Sequence, residues 1–165
     1  MNVDRILEVL HDQKVDYLLI GGMNFMLRHL PLATFDVDIW IDDVPANRLR
    51  CARALAQLQA AWGPTEDAWG PVNGNDAAWL ETQAVFCMTT PFGALDVFRQ
   101  VSGLPAWADC RKRAVTATTG GNVPFLGLSD ADMLRCQYAL PEGLRRLDRI
   151  RHLENLPDAS RGERP

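Results

Sequence analysis

The alternation from Phe35 to Ile41 constrains this chain more than any other stretch. Phe35, Val37, Ile39 and Ile41 fall on one side of a strand and Asp36, Asp38, Trp40 and Asp42 on the other, because side chains on a strand have period two. Upstream, Val15 to Ile20 is a short apolar run that stops at Gly21 and Gly22. It reads as a buried strand ending in a turn where backbone must approach something closely. Met23 to Leu30 carries the pattern of a short helix between the two. The strand therefore presents two carboxylates about 7 Å apart on one face, beside a glycine turn.

Such a pair is costly unless something positive sits between the acids. Like charges in a partly buried cleft repel and push each other's pKa upward, whereas a divalent cation turns the repulsion into coordination. Magnesium suits the donors, since it takes oxygen ligands from one or two carboxylates and completes its shell with water and substrate phosphates. The triplet alone also fits an edge strand whose polar face is solvated. The glycine pair beside it favours the cation.

At 165 residues the chain is long enough for a real core and reads as one domain, 1–156, with a tail at 157–165. Its 47% hydrophobic and 23% charged residues are those of an ordinary soluble protein. No apolar run approaches the length of a membrane span and Met1 to Arg5 has no signal-peptide pattern, so a cytoplasmic protein without membrane contact is expected. Cys51, Cys87, Cys110 and Cys136 are widely spaced, without a Cys-x-x-Cys pair, and read as reduced packing thiols. The net charge of −4 argues against a general nucleic-acid binder but not against RNA as a substrate. Positive charge is uneven, with Arg145, Arg146, Arg149 and Arg151 crowding one expected C-terminal helix.

In chain order, Val3 to Gln13 is an amphipathic helix and Pro45 opens another, with Leu49, Ala52, Leu55, Ala56 and Leu58 on its apolar face. Residues 61–78 read as a long loop bearing Trp62 and Trp69, with Trp79 just after it. These rings either pack or stack on a base or partner. A hairpin follows, Gln83 to Thr89 and Ala94 to Gln100, in which Leu95 and Val97 face one way and Asp96 and Phe98 the other. Trp107 to Arg113 is a short helix, and Ala114 to Leu128 a second hairpin with a Gly120-Gly121-Asn122 turn. Ser129 with Asp132 approximates a capping box. The helix it starts is interrupted at Pro141 and Gly143, and a second helix is expected over Leu144 to Leu156.

Strand, Gly-Gly, helix and Asp-x-Asp strand resemble the signature of the DNA polymerase β-like nucleotidyltransferase superfamily. The run GGMNFMLRHLPLATFDVDIWI is most similar to abortive-infection-type bacterial nucleotidyltransferase toxins and their relatives, with Gly21, Gly22, His29, Thr34, Asp36 and Asp38 matching. Ser129, Asp132, Arg145, Asp148 and Leu153 match the C-terminal pattern. Leu32, Phe35, Gln137 and Leu147 stand where relatives often carry a basic or polar residue.

The resemblance implies an α+β minimal nucleotidyltransferase fold, a mixed twisted sheet flanked by helices with a C-terminal helical pair. It implies that Asp36, Asp38 and Asp96 are the catalytic, metal-binding acids, holding two Mg2+ ions for which Mn2+ can substitute. The bound nucleoside triphosphate would meet Gly21, Gly22, Asn24 and Thr34, with Arg145 and Arg149, grouped with His152 on one helix face, replacing the missing charge. Asp96 would double as a general base, and His29 would orient the turn. The acceptor would be RNA or protein, with a cognate toxin or antitoxin as partner. Two alternatives remain open: a degenerate fold that only grips a protein partner, motivated by the departures at Leu32, Gln137 and Leu147, and an antibiotic-modifying nucleotidyltransferase.

Overall fold

The computed structural model describes residues 1–31 and 33–157. Leu32 and the tail beyond Pro157 lie outside the described residues. In chain order the elements are α1 (Val3–Asp12), β1 (Tyr17–Ile20), α2 (Gly21–Arg28), β2 (Asp36–Ile41), α3 (Pro45–Gln57), β3 (Ala61–Trp62) and β4 (Gly70–Pro71). There follow β5 (Val85–Thr90), β6 (Gly93–Phe98), α4 (Trp107–Lys112), β7 (Val115–Thr118), β8 (Pro124–Gly127), α5 (Asp130–Ala139) and α6 (Leu147–Glu154). The strands form one mixed sheet in the order β4-β3-β5-β6-β2-β1-β8-β7. This is an α+β fold, a mixed sheet flanked by helices. Among the described residues no helix is long and apolar enough to cross a membrane.

Both faces of the sheet are covered, and the period of two sorts the central strands between them. Tyr17, Leu19, Val37, Ile39, Ile41, Leu95 and Val97 join Ile6, Leu7 and Leu10 of α1 and Cys51, Ala52 and Leu55 of α3 in one buried cluster. Leu18, Ile20 and Trp40 face the other way and pack with Phe25, Cys110, Leu128, Met133 and Leu153. Asp36, Asp38 and Asp96 belong to that second face. The alternation expected of β2 therefore holds, with one correction. Phe35 lies ahead of the ladder, which begins with Asp36 opposite Ala94; without a partner strand it is 86% exposed.

Two other expectations change. Residues 61–78 are not all loop, because Ala61 pairs with both Thr89 and Pro71 and so adds two short strands to the sheet. Pro71 has no N–H to donate, which an outermost strand tolerates. Trp62 stacks on Trp79 with centroids 5.6 Å apart, and both meet Phe86 edge-on. These two rings are packing groups, and Trp69 remains exposed. The last helix is also shorter than expected, Leu147–Glu154, after a 3-10 turn at Glu142–Leu144. Arg145 falls outside it, so the helix face expected to unite Arg145, Arg149 and His152 does not form.

Asn47 explains how β1, β2 and α3 are registered. Fully buried, its amide accepts from the Asp16 N–H at 2.8 Å and donates to the Asp16 and Asp42 carbonyls at 2.8 and 2.9 Å. Asn47→Ala leaves the Asp16 N–H without its partner and takes one of two donors from each carbonyl, Asp16 O keeping the Asp42 N–H and Asp42 O keeping the Val44 N–H. It is expected to destabilise the protein by about 2 kcal/mol, read as a lower urea midpoint at unchanged m-value.

Candidate active site

β2 and β6 run parallel with Asp38 directly opposite Asp96. That register sets the Asp-x-Asp pair of one strand beside the single acid of the next, on one face. Asp36, Asp38 and Asp96 each offer a carboxylate oxygen, all within 4.8 Å of one another. Thr34 donates its hydroxyl to Asp36 Oδ1 at 2.8 Å. From β5, Cys87 lies opposite Asp96 and its thiol donates to Asp96 Oδ2 at 3.4 Å.

Burial and crowding raise the pKa of two of these acids, Asp38 and Asp96. Burial, then Asp36 and Asp96, push Asp38 up to about 7, against a partial pull from a Gly22 backbone hydrogen bond and Arg149. Asp96 is raised too, first by burial and then by Asp36, while the Cys87 hydrogen bond lowers it. The donors are hard oxygens and the repulsion among them is relieved by a cation of charge two. The residues fit a magnesium or manganese ion.

The glycine pair has a more specific reason than a close phosphate. Gly21 has φ of +64°, and a Cβ there would run into the Asp38 carboxylate. A Cβ on Gly22 would press on the Thr34 hydroxyl and on Arg149 Nη2. The glycines make room for the acid and for the cation beside it. They also place the N-terminal end of α2, with its unsatisfied N–H groups, next to the triad.

The other sequence candidates divide. Arg149 sits at the site: its guanidinium lies 5.8 Å over Phe25 and reaches Gly22. Arg145 is turned to the end of α5, donating to the Leu140 and Tyr138 carbonyls at 3.0 and 3.1 Å, the usual task of a cation at a helix C-terminus. Asn24 is fully buried and donates to the Leu128 carbonyl at 2.9 Å and to Met133 Sδ at 3.1 Å. It ties α2 to the β8–α5 junction. His29 is held by Asp130, Nε2 to Oδ1 2.9 Å, and packs against Phe25 and His152.

Asp130 and Cys87 are the residues that sequence reasoning passed over. Asp130 also binds Arg28 at 2.6 Å with its side chain 2% exposed. Its signal was available, because two acids in the first turn after Ser129 need partners once that turn is buried. The second, Asp132, takes Arg113 and Arg135 at 2.9 and 3.0 Å and caps the helix with Ser129. Cys87 could be found only through the hairpin register that sets it against Asp96.

Beside the triad the same face opens into a cavity of about 310 Å3 between the sheet and helices α5 and α6, with Asp38 and Arg149 in its wall.

No protein-family model matches the sequence, and no curated protein matches it. Among solved structures the chain is similar to ANT(2'')-Ia, an antibiotic-resistance factor with substrate-regulated conformation dynamics. The TM-score is 0.55 at 12% identity, over 92% of this chain and 78% of that one. It also matches TM1012 from Thermotoga maritima, a candidate nucleotidyltransferase, with a TM-score of 0.49 at 17% identity over 92% of this chain and 86% of that one. At 12% identity the first likeness shows a common fold.

Proposed function

We propose that this protein is a magnesium-dependent nucleotidyltransferase that moves a nucleoside monophosphate from a nucleoside triphosphate to an acceptor hydroxyl or phosphate. One observation carries the reading: three carboxylates from two parallel strands converge within 4.8 Å beside a glycine turn that opens a helix. A merely solvated polar face does not drive the middle acid of its cluster up to about 7 or require glycine at the adjoining bend.

Asp36, Asp38 and Asp96 would hold the metal, which when bound neutralises triphosphate charge and acidifies the acceptor group. The chain's own residues do the rest. Thr34 fixes the Asp36 rotamer through its hydroxyl. Gly21 and Gly22 keep the space over Asp38 free of side chains, and the first N–H groups of α2 face the leaving pyrophosphate. Arg149 supplies positive charge on the same side. Asp96, half-buried beside the reacting centre, accepts the proton lost by the acceptor oxygen as that oxygen attacks the α-phosphorus and pyrophosphate departs. Arg149 answers the loss of charge at Gln137 and Leu147 that favoured a non-catalytic binding module.

A toxin acting on RNA or protein and an antibiotic-modifying enzyme share this chemistry and differ in acceptor. The test incubates the protein and Mg2+ with α-labelled nucleoside triphosphates and, separately, total RNA, cell-extract protein and aminoglycosides. Label is expected on one acceptor class. No transfer to any of them, together with no calorimetric binding of a nucleoside triphosphate, overturns the reading.

A further inference from the structure

The cavity beside the triad is chemically lopsided. Its wall is built mostly from apolar side chains such as Phe98, Leu128 and Met133, with Gln100, Ser102 and Gln137 as further polar members, while Asp38 and Arg149 mark the end next to the acids. Its roughly 310 Å3 lies at the small end of ligand pockets, room for one compact group. A hydroxyl- and amine-rich sugar has more polar groups than those few side chains can pair and would leave the rest against apolar wall, at about 1–3 kcal/mol each. A flat base with apolar faces, its phosphates directed to the triad, meets no such penalty.

One polar side chain in the wall has a fixed sense. Gln137 Oε1 accepts the backbone N–H of Arg146 at 2.9 Å. Because a backbone N–H can only donate, the carbonyl end of the amide must face it and the NH2 end must face away. The Gln137 amide nitrogen has no hydrogen-bond partner among the described residues. The side chain therefore offers its free end to a ligand as a donor only.

We propose, resting on the nucleotidyltransferase reading, that this cavity takes the base of the nucleotide and that Gln137 is a specificity-determining residue favouring keto bases over amino bases. Guanine O6 and uracil O4 accept from the Gln137 amide. Adenine N6 and cytosine N4 place a donor against a donor, and a mismatched hydrogen-bond group is rejected far more strongly than a mismatched methylene.

The test measures dissociation constants of GTP, UTP, ATP and CTP with Mg2+ by calorimetry for the parent, Gln137→Glu and Gln137→Ala. The parent is expected to bind GTP and UTP about 10-fold tighter than ATP and CTP. Gln137→Glu retains an oxygen for the Arg146 N–H and turns a second acceptor outward, so the order reverses. Gln137→Ala binds all four alike. Equal affinities in the parent, or an order unmoved by Gln137→Glu in a variant with parental melting, overturn the assignment of Gln137 while leaving the nucleotide site intact. A parent that binds none of the four overturns the site reading, and this assignment with it.

Discussion

Asp38→Asn is expected to lower nucleotidyl transfer on the order of 10³-fold and yet to yield a metal-free protein more stable at pH 8 than the parent. Both effects come from the same crowding. In the metal-free fold Asp38 holds its proton up to about 7, against 3.8 for an ordinary aspartate. A raised carboxyl pKa means that the folded state binds the proton more tightly than the unfolded state. Stability is therefore unaffected below about pH 4, falls as pH rises between the two values, and levels off above about 7. Three pH units at about 1.4 kcal/mol each make the loss about 4 kcal/mol. Asparagine has no charge to bury and removes that slope. Chemical denaturation of parent and variant at pH 5 and pH 8 without metal reads the effect directly. A parent whose metal-free stability rises between those values contradicts the crowding argument. Added Mg2+ should stabilise the parent more at pH 8 than at pH 5, where it competes with a proton, and should leave Asp38→Asn nearly unmoved.

Gly21→Ala should cost about 100-fold in transfer with a modest loss of stability. At φ of +64° any L side chain is strained by about 1–2 kcal/mol, and its Cβ meets the Asp38 carboxylate. The acid can yield only by swinging away from Asp36 and Asp96, so the damage is concentrated in metal affinity. The expected signature is a KM for the metal-bound nucleotide raised together with a lower kcat, and partial rescue at high metal concentration. Gly143 is the control, since a Cβ added there would meet nothing within 4 Å. Gly143→Ala should leave transfer unchanged.

The centre of the site was legible before the fold was known because it is written in short-range patterns. Alternation in FDVDIWI fixes which residues share a face, and GG marks a bend without side chains. ALDVF repeats the alternation on a second strand. That Asp96 lies on a strand neighbouring that of Asp38 is an expectation from family likeness, since no local pattern states which strands adjoin; the parallel sense and the register come from the fold. The failures have the same origin. Arg145, Arg149 and His152 have helical spacing, but Pro141 and the 3-10 turn at Glu142–Leu144 delay the last helix by enough residues to remove Arg145 from its face. Asn24 is a polar residue in a glycine-rich run, and only tertiary packing reveals that its amide is committed to the Leu128 carbonyl. Residues 61–78 carry turn signals throughout, and the pairing of Ala61 with Thr89 is a contact that composition cannot foresee.

The acids of the centre come from strands that are neighbours in space and distant in sequence, Asp38 on β2 and Asp96 on β6. Bringing them together closes a long excursion of chain, an entropic toll met late in assembly. A polypeptide still emerging from the ribosome and made only as far as α3 owns two of the three anions and none of the partner strand. The three-acid cluster is thus complete only once β6 has paired with β2.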